Sequence, residues 1–315
     1  MDRTTDLLVI GAGAAGVSAA LTAAQSGIKV TLLEKEGEVG GSTVLSGGSV
    51  SLAGTDIQRK LGIPDSEQSL FDDIRRVGKN QNDPDIVRAY VDHQAETYQW
   101  MVENDVKFSD RVGFAEGSPV QRKHSINPAQ AVAVLLEKAL NTGFVDVIYG
   151  ARAWSLICDP RTGRIAGVEV DGAEPYKVMS SRGVILSTGG FVKAPDLLGR
   201  FSPPYANVRT VGGKGNTGDG LLMAWKLGAD VIDTAYIQGN FGQHPENHGA
   251  AVLPVYKGAI AVNNRGNRYT DESITYKQLA DACLRQDGKI THQIFDQKIL
   301  EEEVVCPTGV VHQIY

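Results

Sequence analysis

The chain has 315 residues, of which 42% are apolar and 22% charged, and its net charge is -6. This is the balance of a soluble globular protein of about two domains, and it lacks the basic stripe of a nucleic-acid-binding face. Three scattered cysteines, Cys158, Cys283 and Cys306, with no CxxC, argue against a disulfide framework and point to a reducing, cytoplasmic setting. The 36 glycines are a first hint of backbone lying close to a nucleotide ligand.

Leu7–Ile10 (LLVI) reads as a buried parallel strand. A glycine turn follows, then an alanine-rich helix to about Gln25 and a second strand at Ile28–Leu33, together a βαβ unit. Residues 7–24 are apolar enough to imitate a membrane span, but their three glycines fit a strand, a tight turn and a buried helix, so no span is expected. No signal peptide is expected either, since the first strand starts near Asp6. A Gly/Ser-rich loop runs over 37–54. Helices are predicted near Ser66–Gly78, from Asp83-Pro84, and from Asn127-Pro128 to Gly143, each proline standing at a first helical position. Strands are predicted at Val145–Tyr149, Ala153–Cys158, Ile165–Val170, Tyr176–Ser180 and Val184–Ser187. A short helix, Asp219–Leu227, ends at Gly228. Beyond about Tyr236 the pattern is irregular. The expected fold is α/β: a Rossmann-like domain at 1–236, with a central parallel sheet, a β-meander and a helical insertion at about 60–125. A partial α+β capping domain at 237–315 follows.

Gly11, Gly13 and Gly16 spell GxGxxG between a strand and a helix. The first glycine permits the tight turn, the second admits a pyrophosphate to the backbone, and the third lets helix and strand pack closely. The helix N-terminus, with Ala14 and Ala15, meets the phosphate charge. Glu34 lies 18 residues beyond Gly16, at the end of the second strand. A carboxylate there accepts bonds from ribose hydroxyls and repels a 2′-phosphate, which argues against NADP.

After Glu34 and Lys35 the sequence continues to GGSTVLSGGS, then later ILSTGGF (Ile185–Phe191) and NTGDGLLMAWKLGA (Asn216–Ala229). These segments resemble the succinate dehydrogenase/fumarate reductase flavoprotein family, which includes the 3-ketosteroid dehydrogenases. The resemblance implies FAD. It places Gly40, Gly41, Ser42 and Thr43 at the pyrophosphate and Ser46, Gly47 and Gly48 beside the flavin ring. It also sets Thr188, Gly189, Gly190, Thr217, Gly218 and Asp219 near the cofactor, with Ala153 and Lys35 in the same set. Small residues suit a flavin ring, which needs close backbone donors along its polar edge. Some members link FAD through a histidine in the second glycine stretch. None lies between Gly40 and Gly54, so noncovalent FAD is expected.

The segment Ala261–Tyr276 (AVNNRGNRYTDESITY) resembles the family's VNxxGxRFxNE segment. Fumarate reductases carry a proton-donating arginine four residues after that Asn-Glu pair. Here the pair is Asp271-Glu272 and the residue is Tyr276, as in the 3-ketosteroid dehydrogenases. The resemblance implies removal of a proton beside a carbonyl by Tyr276 and of a hydride by flavin N5. A tyrosine that ordinarily titrates near pH ~10 needs help to act as a base. The leading expectation is therefore desaturation of a small carbonyl substrate, with an unknown electron acceptor. Enoate reduction of the fumarate or urocanate type is the alternative, and an inactive, truncated FAD-binding module is the third.

His244 corresponds to a substrate-binding histidine only if the loop before it is lengthened; an ungapped match puts Asn240 there. His244, Glu246 and His248 offer no convincing metal site, since no third ligand set is evident. His124, beside Arg122 and Lys123, reads as a solvated loop residue. Nothing after Tyr276 resembles the family's C-terminal return to the FAD domain. The chain on its own is therefore expected to bind FAD poorly and to be inactive.

Overall fold

The computed structural model describes residues 2–115, 118–239, 241–242 and 254–301. In chain order its elements begin with β1 (Arg3–Ile10), α1 (Ala14–Gln25), β2 (Val30–Leu33) and β3 (Ser49–Ser51). Helices α2 (Asp56–Lys60), α3 (Glu67–Val77) and α4 (Pro84–Glu103) follow, then β4 (Phe108–Phe114), β5 (Gln121–Ile126), α5 (Pro128–Asn141) and β6 (Val145–Ile148). Next come β7 (Ala153–Cys158), β8 (Ile165–Val170), β9 (Tyr176–Leu186), α6 (Pro195–Phe201) and α7 (Asp219–Lys226). The described residues end with β10 (Ile260–Val262), α8 (Tyr276–Leu284), β11 (His292–Ile294) and α9 (Gln297–Glu301).

Two compact units form: residues 1–48, 100–108 and 126–236 in one, and 49–99, 109–125 and 237–315 in the other. The first holds a six-stranded sheet in the order β6-β2-β1-β9-β8-β7. Strands β6, β2, β1 and β9 run parallel, and β8 and β7 add an antiparallel meander. In the parallel part, β2 and the Leu8–Ile10 end of β1 are buried on both faces, as short apolar runs inside a parallel sheet are. On β1, Val9 faces Val17 and Leu21 of α1 and Val132 and Leu135 of α5. Leu8 and Ile10 face the other way, toward Val168, Val178 and Met223 of α7. Asn127 caps α5 by accepting the Gln130 N–H at 3.1 Å.

Tyr176–Leu186 is one strand, where the sequence suggested two. A bulge lets it continue: Thr5 pairs Ser180 and Leu7 pairs Gly183, so Ser181 and Arg182 stand opposite Asp6 alone. Gly183 takes φ +142 there, and a bulge absorbs the polar residues that look like a turn in sequence.

The second unit contains a three-stranded sheet, β3-β5-β4, with Ala53, Leu70, Val87 and Val91 forming an apolar cluster beneath α3 and α4. The segment expected to be a helical insertion thus carries two strands as well, β4 and β5. The same unit includes the antiparallel pair β10–β11, with Ala261 opposite Gln293, and α8, which lies between them in sequence. Leu279 and Ala280 of α8 pack on Ala261, Val255 and Phe241. No helix among the described residues is long and apolar enough to cross a membrane.

Candidate functional site

The first unit builds its site at the C-terminal edge of β1. Gly11 turns the chain with φ +98 and donates its N–H to Leu33 O at 2.8 Å. A Cβ on Gly11 would lie 2.5 Å from Ser187 O, and one on Gly16 would lie 1.8 Å from Gly11 O. Ser187, at the end of β9, closes the turn from the other side: its Oγ lies 2.8 Å from Ile10 O and 2.9 Å from Gly11 O. Gly13 is the N-cap of α1, in extended backbone and with no side chain to cap the helix. The N–H groups of Gly13–Ala15 are therefore turned to what lies before the helix, although Ala14 N–H also reaches Thr43 Oγ1 at 3.1 Å.

Glu34 is buried and accepts Ala12 N–H at 2.8 Å and Glu36 N–H at 2.9 Å, one on each oxygen. Each oxygen keeps a lone pair for a sugar hydroxyl. Gly40, at φ +111, donates to Ala12 O at 2.9 Å, which lays the second glycine loop against the first. Ser46 Oγ accepts the Gly48 N–H at 3.3 Å, Gly47 is exposed, and Gly48 turns at φ +64 beside Ile126 O. A helix start whose own N-cap residue offers no side chain, a glycine turn too tight for a Cβ at Gly11 or Gly16 and a carboxylate beside it suit the diphosphate and ribose of a dinucleotide such as FAD.

Three residues assigned to the cofactor from sequence bond to one another. Lys35 Nζ lies 2.6 Å from Thr217 Oγ1 and 2.7 Å from Asp219 Oδ2. Arg152, which sequence reasoning passed over, joins them through Asp219 at 2.9 Å. Burial pushes the Asp219 carboxyl up, but the bonds from Arg152 and Lys35 outweigh it and hold it below the usual range. This cluster braces α7 against the end of β2. Gly218 turns at φ +77 and donates to Gly190 O at 2.9 Å. Thr188 stands where a Cβ on Gly220 would come within 2.1 Å of its Oγ1, so the two segments meet at a glycine. Ala153 opens β7 with its side chain inside the apolar cluster of Leu8, Ile10 and Leu33.

Tyr276 belongs to the second unit. It is half-buried and is the first residue of α8, whose start is fixed by a Thr275–Gln278 capping box. Just before it, Glu272 accepts Ala261 N–H at 2.7 Å and pairs with Arg268 at 2.5 Å, so the segment leading to Tyr276 is tied to β10. Asn240, His244, Glu246 and His248 lie outside the described residues.

His124 is not a solvated loop residue. It lies on β5, fully buried, opposite Val50 of β3. Its Nε2 meets Thr55 Oγ1 at 2.8 Å and its Nδ1 meets Arg122 O at 2.9 Å. The Arg122 carbonyl can only accept, so Nδ1 carries the proton and Nε2 accepts from Thr55. Burial pulls the imidazole's pKa down. The folded state therefore binds fewer protons than the unfolded state just below the ordinary histidine value, and stability is lost as pH falls through about 6.5. Thermal midpoints measured from pH 7 to pH 5 should fall more steeply in the native protein than in His124→Gln; equal slopes would remove His124 from the acid response.

The FAD binding domain family matches residues 6–303. A fumarate reductase (cytochrome) of Shewanella frigidimarina is 33% identical over 94% of this chain and 52% of its own length. A urocanate reductase of Eggerthella lenta is 30% identical over 94% of this chain and 50% of its own. The crystal structure of a 3-ketosteroid-Δ4-(5α)-dehydrogenase from Rhodococcus jostii RHA1 superposes with a TM-score of 0.82 at 26% identity, over 96% of this chain and 68% of that one. The chain thus spans about half the length of the curated relatives it matches. It belongs to the FAD-binding domain family, alongside fumarate reductase flavoproteins, and FAD is its cofactor.

Proposed function

We propose that the complete protein is an FAD-dependent oxidoreductase acting on a carbon–carbon bond next to a carbonyl, with Tyr276 exchanging the proton at one of the two carbons. FAD, when bound, supplies hydride exchange at N5 of its ring. The observation that carries this reading is Tyr276 itself. It opens α8 directly after the Glu272 brace, where the resemblance puts the arginine of fumarate reductases. A phenol is neutral at pH 7 and begins as a proton donor. It lacks the positive charge that would hold a substrate carboxylate, so a neutral enone suits it better than a dicarboxylate.

The donor state of the phenol and the reductase relatives favour reduction as the working direction. Sequence reasoning put desaturation first, and the likeness to the Rhodococcus dehydrogenase keeps it as the second reading. In that direction Tyr276 must lose its proton before the C–H bond breaks.

Anaerobic mixing separates the two. Reduced protein that is rapidly reoxidised by an enone supports reduction; oxidised protein bleached by the saturated ketone supports desaturation. If enones, enoates and saturated ketones all leave the flavin spectrum unchanged, the proposal falls. Tyr276→Phe should lower turnover about a hundredfold while leaving flavin content intact. Turnover within a few-fold of native would take the proton away from Tyr276.

A further inference from the structure

Ser42 sits exposed on the Gly40–Thr43 loop. Its Oγ accepts two bonds, from Gly213 N–H and from Asn216 Nδ2, each at 3.0 Å. Two donors fill both lone pairs of a hydroxyl oxygen, so only its proton is left to bond. Among the described residues no acceptor takes that proton. A hydroxyl bonded in this way can only donate.

The orientation of the Asn216 amide is not free. Its Oδ1 accepts the Val192 N–H at 3.2 Å, which turns Nδ2 toward Ser42. Its own backbone is pinned on both sides, N–H to Gly213 O at 3.0 Å and carbonyl to Lys193 N–H at 2.8 Å. Gly189 and Gly190 leave room for the amide: a Cβ on either would stand 3.4 Å from Nδ2 or 3.3 Å from Oδ1. One side chain thus joins the second glycine loop, the segment after β9 and the loop before α7.

We propose that Asn216 is a positioning residue that makes the Ser42 hydroxyl an obligate hydrogen-bond donor to an anionic group, the diphosphate of FAD. The inference rests on the glycine loop being the cofactor site. It adds a selectivity: the bond is made only to the anion, so it separates diphosphate-bearing ligands from neutral ones.

Titration of the full-length protein, stripped of flavin, with FAD, ADP and adenosine tests this. Native protein should bind ADP more tightly than adenosine. Ser42→Ala and Asn216→Ala should each weaken FAD and ADP about ten- to a hundredfold, the range for a hydrogen bond to a charged group, and leave adenosine unchanged. The double variant should be no weaker than the weaker single, because Asn216 acts only through the Ser42 hydroxyl. Asn216→Asp keeps the Val192 bond, loses the donor to Ser42 and should show the same selective loss if the alanine variant does not fold. Adenosine weakening in step with ADP, or losses that add in the double variant, would overturn the proposal. Native protein that binds ADP no better than adenosine would instead overturn the diphosphate reading of the loop.

Discussion

Gly16→Ala yields a protein that purifies without flavin. The added methyl would stand 1.8 Å from Gly11 O, 3.0 Å from Gly11 C and 2.7 Å from Ser187 Oγ. The neighbours have nowhere to go. Gly11 is tied through its N–H to β2, and its carbonyl and that of Ile10 face the Ser187 hydroxyl. Ser187 in turn donates its N–H to Ile10 O at 2.9 Å. Relief requires α1 to move away from β1, and the helix start expected to meet the diphosphate moves with it. Overpacking of a core ordinarily costs about 1–3 kcal/mol, and a contact this short lies beyond that range. Gly13→Ala is the control. Its Cβ would meet Thr43 Oγ1 at 3.7 Å and Gly40 O at 3.9 Å, ordinary contacts, so the fold should keep its melting temperature. Its methyl nonetheless enters the open space where the fingerprint is expected to admit a diphosphate, so FAD affinity should fall without loss of stability. Absorbance of the purified proteins and their thermal midpoints check both statements. A Gly16→Ala protein with a full flavin spectrum would refute the first.

The turn was legible because each of its constraints is local. An apolar run, three glycines and an acid at the end of the next strand name a βαβ unit without reference to the rest of the chain. The meander was legible for the same reason, apart from the bulge at Gly183, which looks like a strand end because Ser180, Ser181 and Arg182 are polar. The brace of Lys35, Thr217, Asp219 and Arg152 was half legible. The motifs marked three of its members as neighbours of the cofactor, but a bond between residues 35 and 219 leaves no trace in spacing. Arg152 carried no signal at all. The β3-β5-β4 sheet was hidden by its polarity. Gln121–Ile126 reads as surface loop, yet Arg122 and His124, two apart on one strand, are both buried. Their alternation with exposed or half-exposed neighbours is the period of a strand, written in charged residues instead of apolar ones.

Arg122 sets the second large effect. Its side chain is 1% exposed and that of Asp65 is 0% exposed, and the two meet at 2.7 Å. The other guanidinium nitrogen reaches Asp73 at 2.9 Å, and the same fork bonds Ser69 O and Oγ. Arg122 thereby fastens β5 to α3 and to Asp65, two residues before that helix. Replacing Arg122 by methionine keeps most of the volume but strands Asp65, whose remaining partners are Gln58 Nε2 at 3.0 Å and the Ser66 N–H at 2.9 Å, both neutral. Asp73 retains Arg76 at 2.6 Å and Ser118 Oγ at 3.0 Å, so it is the less injured of the two. Breaking a buried pair from one side costs about 3–5 kcal/mol, because the uncompensated charge stays behind. Arg122→Lys should fall between, since an ammonium group cannot span both carboxylates in a planar fork. The decisive comparison is Arg122→Met against Asp65→Asn/Arg122→Met. If the stranded carboxylate is the cause, neutralising it returns a measurable part of the lost stability in urea unfolding. A double variant no more stable than Arg122→Met would shift the cause to the lost contacts with Ser69, and the buried charge would then account for little of the stability of this unit.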